Sequence, residues 1–198
     1  MEKQTQENDL YAKTLVKIPN CRFFFNHLDQ PYQDPKTGVK KYKSCLVIDK
    51  NDKTATDPIN DALAAARERG IQRTWRGQVP ATLRMPVADG DTADNPSPAF
   101  IGKYKLNVSS NKKPKMYHKD RHELAEGELR GGDYGIALVR FKAYDNQSKG
   151  IAAYIEGILK TKDSDGTDVA AEFAADFDEE AAANADNDAA NKAFLGFL

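Results

Sequence analysis

Polar and apolar side chains alternate from Lys103 to Ser110, where Lys103, Lys105, Asn107 and Ser109 take turns with Tyr104, Leu106, Val108 and Ser110. A period of two sends one set to a core and the other to solvent, so the pattern predicts a half-buried strand. The same reading predicts strands over 15–26, 40–49 and 135–144. In the first, Cys21, Phe23 and Phe25 share one face, while Arg22, Phe24 and Asn26 share the other. In the last, Val139, Phe141 and Ala143 oppose Arg140, Lys142 and Tyr144. Residues 149–160 fit a closing strand or a helix, and Gly157 favours the strand.

A strong helical period occurs once. Asp57 before Pro58 supplies an N-cap and a first-turn proline, Ile59, Ala62, Leu63 and Ala66 follow at helical spacing, and Gly70 ends the run. Pro31, Pro35 and Gly38 mark 29–39 as a turn-rich connection. Pro80, Pro86, Pro96 and Pro98 exclude a central strand over much of 71–99, and the charged stretch 118–132 has room for a short helix. Residues 1–12 are polar and expected to be flexible. From residue 161 the composition turns to Ala, Asp, Glu and Asn, too polar to build a core, which predicts a disordered tail. The chain therefore divides into a flexible N-terminus (1–12), a mainly β domain with one main helix (13–160) and an acidic tail (161–198).

Charge sharpens this division. The 198 residues carry a net charge of -1, but residues 1–160 hold 27 Lys and Arg against 20 Asp and Glu, whereas 161–198 hold 2 against 10. A basic body with an acidic tail points toward nucleic acid. Lysines neutralise phosphates and rings stack on bases, so cations and aromatics on the outward strand faces and in the irregular and loop segments between them are the candidate DNA contacts. They are Arg22 and Phe24; Lys41 and Lys43; Arg73, Trp75 and Arg76; Lys105; the loop residues Lys112, Lys113, Lys115 and Tyr117; and Arg140, Lys142 and Tyr144. Taken singly, a lysine-rich loop is also what an ordinary solvated surface looks like, and a lone tryptophan is usually core. In the tail, Val169, Phe173 and Phe177 are four apart, which allows a partner-induced helix. The apolar tip Phe194, Leu195, Phe197 and Leu198 on an acidic tether reads as a docking motif for a partner protein.

Catalytic and cofactor patterns are poor. His118 and His122 have helical spacing, but Lys119 stands where a metalloprotease needs Glu. Asp89, Asp91 and Asp94 miss the calcium-loop spacing, and Phe100 stands where its bidentate Glu belongs. Gly131 and Gly132 lack the Lys and Ser or Thr of a phosphate-binding loop. No enzyme, metal or cofactor is expected. Cys21 and Cys45 lie in strand-like apolar segments with no secretory signal before them, and no apolar run nears the roughly 20 residues of a membrane span. A soluble, cytoplasmic protein is the expectation.

The order of Arg22-Phe-Phe-Phe25, the segment from Lys41 to Lys50, Ala88-Asp-Gly-Asp91, Gly102-Lys-Tyr104, Asn107 to Pro114, Phe141-Lys-Ala-Tyr-Asp145 and Lys149-Gly-Ile151 resembles a family of phage-encoded single-stranded-DNA-binding proteins with an OB-like fold. The resemblance spans roughly 14–162. It implies a small, mostly antiparallel barrel with one helix, in agreement with the strand order above. It further implies sequence-independent binding of single-stranded DNA in phage replication or recombination. The tail looks like the acidic, aromatic-tipped tails by which single-strand binders recruit replication proteins, although here Leu198 is last and Phe197 penultimate. Tyr42 and Tyr104 fall among the core residues by alternation and rank below the other rings. The rival reading is a phage structural or adaptor protein whose lysines only solubilise it; a metal-dependent nuclease built on the scattered acids is a third.

Overall fold

The computed structural model describes residues 2–92 and 97–165, with side chains from Glu7 onward. The tail tip Phe194, Leu195, Phe197 and Leu198, the spaced Val169, Phe173 and Phe177, and the tail's expected disorder lie outside the described residues. The chain divides into two compact units, 1–164 and 165–198.

Seven strands form one sheet: β1 (Leu15–Gln33), β2 (Lys40–Asp49), β3 (Val87–Asp89), β4 (Lys103–Ser110), β5 (Lys115–Tyr117), β6 (Tyr134–Asp145) and β7 (Lys149–Lys162). Their order is β3-β4-β2-β1-β6-β7-β5. Parallel pairing of Val108 with Ala153 joins β4 to β7 and closes β1, β2, β4, β7 and β6 into a five-stranded barrel of the OB type. Closure works because β1 is long and serves two partners: Arg22 pairs with Val47 of β2 and with Tyr134 of β6. The alternation read from sequence places Leu106, Val108, Val139 and Phe141 inside, with Ile18, Phe23, Leu46, Ile48 and Ile155. Residues 149–162 form a strand, and it runs two residues past the expected domain boundary.

Helix α2 (Lys53–Arg73) packs Ala55, Ile59, Ala62 and Ala66 on this core. It starts a turn before the expected cap: Asp52, not Asp57, accepts the Thr54 amide and is held by Asn20 Nδ2 at 3.0 Å, which leaves Pro58 inside the helix. Gly70 does not end it either. A Cβ there would lie 2.7 Å from the Trp75 ring and 2.8 Å from Ala143 Cβ, so this glycine exists for close packing.

Three further expectations are corrected. The N-terminus is helix α1 (Glu2–Lys13), so the barrel carries two helices. Its sequence lacks an apolar stripe and α1 is held by charge instead: Glu7 pairs with Arg73, and the Tyr11 ring lies 4.8 Å from the Arg69 and 4.4 Å from the Arg140 guanidinium carbon. The turn-rich 29–39 shrinks to a tight turn after Gln33, with Pro31 tolerated because the β1–β2 ladder is irregular between His27 and Tyr32. Residues 118–132 form no helix; the His118 and Leu124 amides donate to the carbonyls of His122 and Met116.

Candidate nucleic-acid interface

Strand alternation turns Phe23 into the core and Phe24 outward, and by the same rule Phe25 should point in. Instead Phe25 has φ of +53° and its ring is 67% exposed. A left-handed phenylalanine costs about 1–3 kcal/mol and persists only where its surroundings fix it. Here the Ser44 hydroxyl lies 3.2 Å from the Phe24 carbonyl oxygen and 2.7 Å from Asn26 Oδ1, while Asn26 Nδ2 donates to the Arg130 carbonyl at 3.2 Å. The β1–β2 register shifts just after Phe24, so the bulge puts two consecutive rings on the outside.

A third ring meets them. Phe100 stands 5.7 Å from Phe24, edge to face, and 6.3 Å from Phe25, centroid to centroid. Cations frame the triad. The Arg22 guanidinium carbon lies 5.2 Å from the Phe24 and 4.8 Å from the Tyr134 ring centre, aimed by an Nε hydrogen bond to the Gly132 carbonyl at 3.0 Å. Lys105 Nζ sits 5.4 Å from the Phe100 centroid. Register puts these groups on one face, since Arg22, Val47 and Lys105 form one row across β1, β2 and β4, and Phe24, Cys45 and Asn107 another. Cys45 is buried on this face, which pushes its thiol pKa up, with Lys105 pulling the other way.

Phe100 is placed by a clasp built from distant residues. The Lys50 ammonium binds Asp89 and Asp91, Asp91 Oδ1 accepts the Gly102 amide at 2.7 Å, and the Lys50 amide donates to the Gly102 carbonyl at 3.1 Å. The Lys50 hydrogen bond holds both carboxyls below their usual range and in turn raises the lysine. Gly90 completes the fit, because a Cβ there would fall 2.1 Å from the Phe100 carbonyl oxygen. Arg22 is braced from the other side. The buried Asp133 accepts from Lys160 Nζ at 2.7 Å; burial pushes this carboxyl up, but the lysine and the Arg130 and Ser164 amides outweigh it and hold it low. That fixed turn presents the Gly132 carbonyl to Arg22.

The family profile described as the ssDNA-binding protein of Enterobacter phage Enc34 matches residues 14–189. The chain belongs to this Enc34 single-stranded-DNA-binding protein family. Protein p50 of Acyrthosiphon pisum secondary endosymbiont phage 1 is 26% identical over 160 residues, 76% of this chain and 84% of p50. Among solved structures, the bacteriophage Enc34 protein in complex with ssDNA superposes with a TM-score of 0.69 at 23% identity, covering 80% of this chain and 92% of that one. Its C-terminally truncated form gives 0.65 at 26%, covering 79% and 90%.

In this member of the Enc34 family, the fold brings together Arg22, Phe24 and Lys105 of the sequence candidates, with Lys43 farther along the same face and Lys41 beside it. It does not gather the rest. Trp75 is only 3% exposed and its Nε1 donates to the Tyr144 carbonyl at 3.0 Å, so it has no face for a base. Arg73 is tied to Glu7, and Arg76 lies beyond α2 in a left-handed turn. Lys113 pairs with Asp29 at 3.2 Å, and Lys112 is exposed in the loop after β4. Lys115 and Tyr117 belong to β5, where they line a groove with Lys17 and Leu138. Arg140 binds Glu156 at 2.7 Å and stacks on Tyr11, Lys142 lies over Tyr154, and Tyr144 is half-buried beside Gly150. Arg140 follows Tyr134 by six residues, about 20 Å along β6.

Sequence reasoning missed Phe25, Phe100 and Tyr134. One signal was available for Phe25: three consecutive phenylalanines, Phe23 to Phe25, bounded by Arg22 and Asn26, are more than one buried face of a strand uses. Phe100 carries none, because its position depends on the Lys50 clasp.

Proposed function

We propose that this protein binds single-stranded DNA with little regard to base sequence. The observation that carries the reading is the Phe24–Phe25–Phe100 triad framed by Arg22 and Lys105, neither of which forms an ion pair with a carboxylate among the described residues. Rings offer a π-face to any base and unpaired cations take phosphates, a pairing that is tolerant of sequence. The solved Enc34 protein holds ssDNA on the same fold, which supports the same ligand here. The setting is phage DNA replication or recombination in the host cytoplasm. The protein acts by binding, without catalysis. Its acidic tail competes with DNA for the lysines of the body and, once displaced, recruits replication proteins through Phe194, Leu195, Phe197 and Leu198. A gel shift with labelled oligo(dT), repeated with magnesium, tests the reading: a shifted, intact oligonucleotide is expected. Cleavage would indicate a nuclease, and the absence of any shift a structural or adaptor role.

A further inference from the structure

Two aliphatic side chains stand on the outer face of β6. Gly135, Ala137, Val139 and Phe141 form its buried side, so Ile136 and Leu138 project outward, the side on which the strand also carries Arg140 and Lys142. Ladder register gives them their neighbours. Lys17, Leu138, Gly157 and Lys115 form one row across β1, β6, β7 and β5, and Ile136, Leu159 and Tyr117 form the next. The two rows make a groove of about 350 Å³ lined by strands alone, large enough for a ligand group.

Gly157 leaves a notch in the floor of this groove, and the barrel does not require it. At Gly135 and Gly150 a Cβ would lie 2.5 Å from the Leu159 and Arg84 carbonyl oxygens, so packing demands those two glycines. A Cβ on Gly157 would meet only the Lys115 carbonyl oxygen, at 3.4 Å, an ordinary contact, and its φ is not left-handed. The bulge in β7 does not explain it either, because the extra residue there is Glu156. Glycine weakens a strand interior, and one without a packing or turning role marks a place where another chain or a ligand comes close.

Charge selects the occupant. Lys17 and Lys115 are exposed and stand at the two ends of the Leu138 row, three strand spacings or about 14 Å apart at the backbone. Glu156 is the one acid lining the groove among the described residues, and its carboxylate accepts from Arg140 Nε at 2.7 Å. The groove is therefore cationic at both ends and aliphatic between. Two copies of such a face would repel each other, and Ile136, Leu138 and Leu159 offer a base no ring to stack on.

We propose that this groove docks an acidic peptide segment of another protein, seating one leucine or phenylalanine side chain over Gly157 and a carboxylate two residues to either side on Lys17 and Lys115. In an extended segment those acids are four residues apart, about 13 Å, which matches the spacing of the lysines. The proposal stands apart from the DNA reading, since none of these residues belongs to the ring triad or to the cations that frame it.

The test titrates a labelled, end-blocked peptide, Glu-Ser-Leu-Ser-Glu, into the full-length protein and follows anisotropy and NMR amide shifts. Saturable binding is expected, with shifts at Leu138, Gly157 and Leu159. Gly157→Val fills the notch and is expected to weaken the peptide by about 10- to 150-fold, the equivalent of one buried leucine side chain, while leaving oligo(dT) affinity unchanged. Lys17→Gln leaves the notch and alters only the surface; it is expected to weaken the peptide about two- to fivefold at low salt and not at high salt. No saturation at millimolar peptide, shifts elsewhere, or equal binding of Gln-Ser-Leu-Ser-Gln overturns the proposal. So does full peptide affinity at low salt in Gly157→Val or in Lys17→Gln. Three further results assign the groove to another occupant and overturn it as well: loss of oligo(dT) affinity in a folded Gly157→Val protein gives it to DNA, a dimer that Gly157→Val dissociates gives it to a second copy, and tighter peptide binding after removal of residues 166–198 gives it to the chain's own tail.

Discussion

Phe25 and Phe100 reach each other by unrelated routes, one through a left-handed bulge in β1 and the other at the end of a loop clasped by Lys50, and their ring centres lie 6.3 Å apart. Neither ring is needed where it stands for the core. Phe25→Ala is therefore expected to weaken single-stranded DNA by about 1–3 kcal/mol with little change in melting temperature. Phe25→Gly separates the ring from the backbone, since glycine accepts the positive φ without strain. It should lose the same affinity and melt no lower than Phe25→Ala. Full affinity in both would remove Phe25 from the site.

The clasp makes the position of Phe100 sensitive to acid. Asp89 and Asp91 have carboxyls held below the usual range by Lys50, so their contribution to stability is complete above that range and is lost as pH falls through the lowered values. Protonating Asp91 weakens its acceptance of the Gly102 amide. An NMR titration should show the Gly102 resonance moving with a midpoint below the usual carboxylate range; a midpoint at or above it would mean that Lys50 is not bound to these acids in solution. Gly90→Ala should disrupt the same loop at neutral pH, lowering DNA affinity no further in a Phe100→Ala background.

Salt dependence distinguishes cations that face DNA from cations already paired. With about five phosphate contacts, the log–log slope should be near -3.5, at roughly -0.7 per contact on a single strand. Arg22→Met should flatten the slope by about one such step. Arg140→Met should leave it unchanged, because Glu156 and Tyr11 already hold that guanidinium. If Arg140→Met flattens the slope as much as Arg22→Met does, the outer face of β6 carries DNA and the ring-triad face is not the whole track.

The contrast between those two arginines also marks what a sequence reveals. Local pattern located β2 and β4 to the residue, and alternation gave the inward faces of β4 and β6, because a half-buried strand repeats every two residues whatever it pairs with. It assigned Arg22 and Arg140 the same outward role, and only the fold separates them: a carbonyl aims one, a carboxylate neutralises the other. Phe25 was placed inward because a positive φ at a non-glycine leaves no periodic mark. Trp75 is buried by a glycine on α2 and a carbonyl on β6, and Phe100 is positioned by Lys50, with α2 and β3 between them in sequence; such long-range partners are invisible to local pattern. Helix α1 was missed because its anchors, Tyr11 and Glu7, bind arginines of other elements rather than forming an apolar stripe.

The tail supplies the last prediction, and the end of β7 decides how to test it. A cut at residue 161 would remove Lys162 from the strand and the Ser164 amide, which donates to the buried Asp133 at 2.7 Å, so any effect on DNA would mix with damage to the turn that aims Arg22. A cut after Asp165 avoids this. Residues 166–198 carry eight Asp or Glu and one Lys. Under the proposed function these acids, tethered to a basic body at an effective concentration on the order of millimolar, compete with phosphates for its cations. The truncated protein should bind oligo(dT) more tightly than the intact one at low salt, and the advantage should fade as salt screens both ligands. It should also lose capture of replication proteins, since Phe194, Leu195, Phe197 and Leu198 are gone. If the two proteins bind equally across the salt series, the acids do not compete with DNA, and recruitment through the apolar tip has to be judged on the pull-down alone.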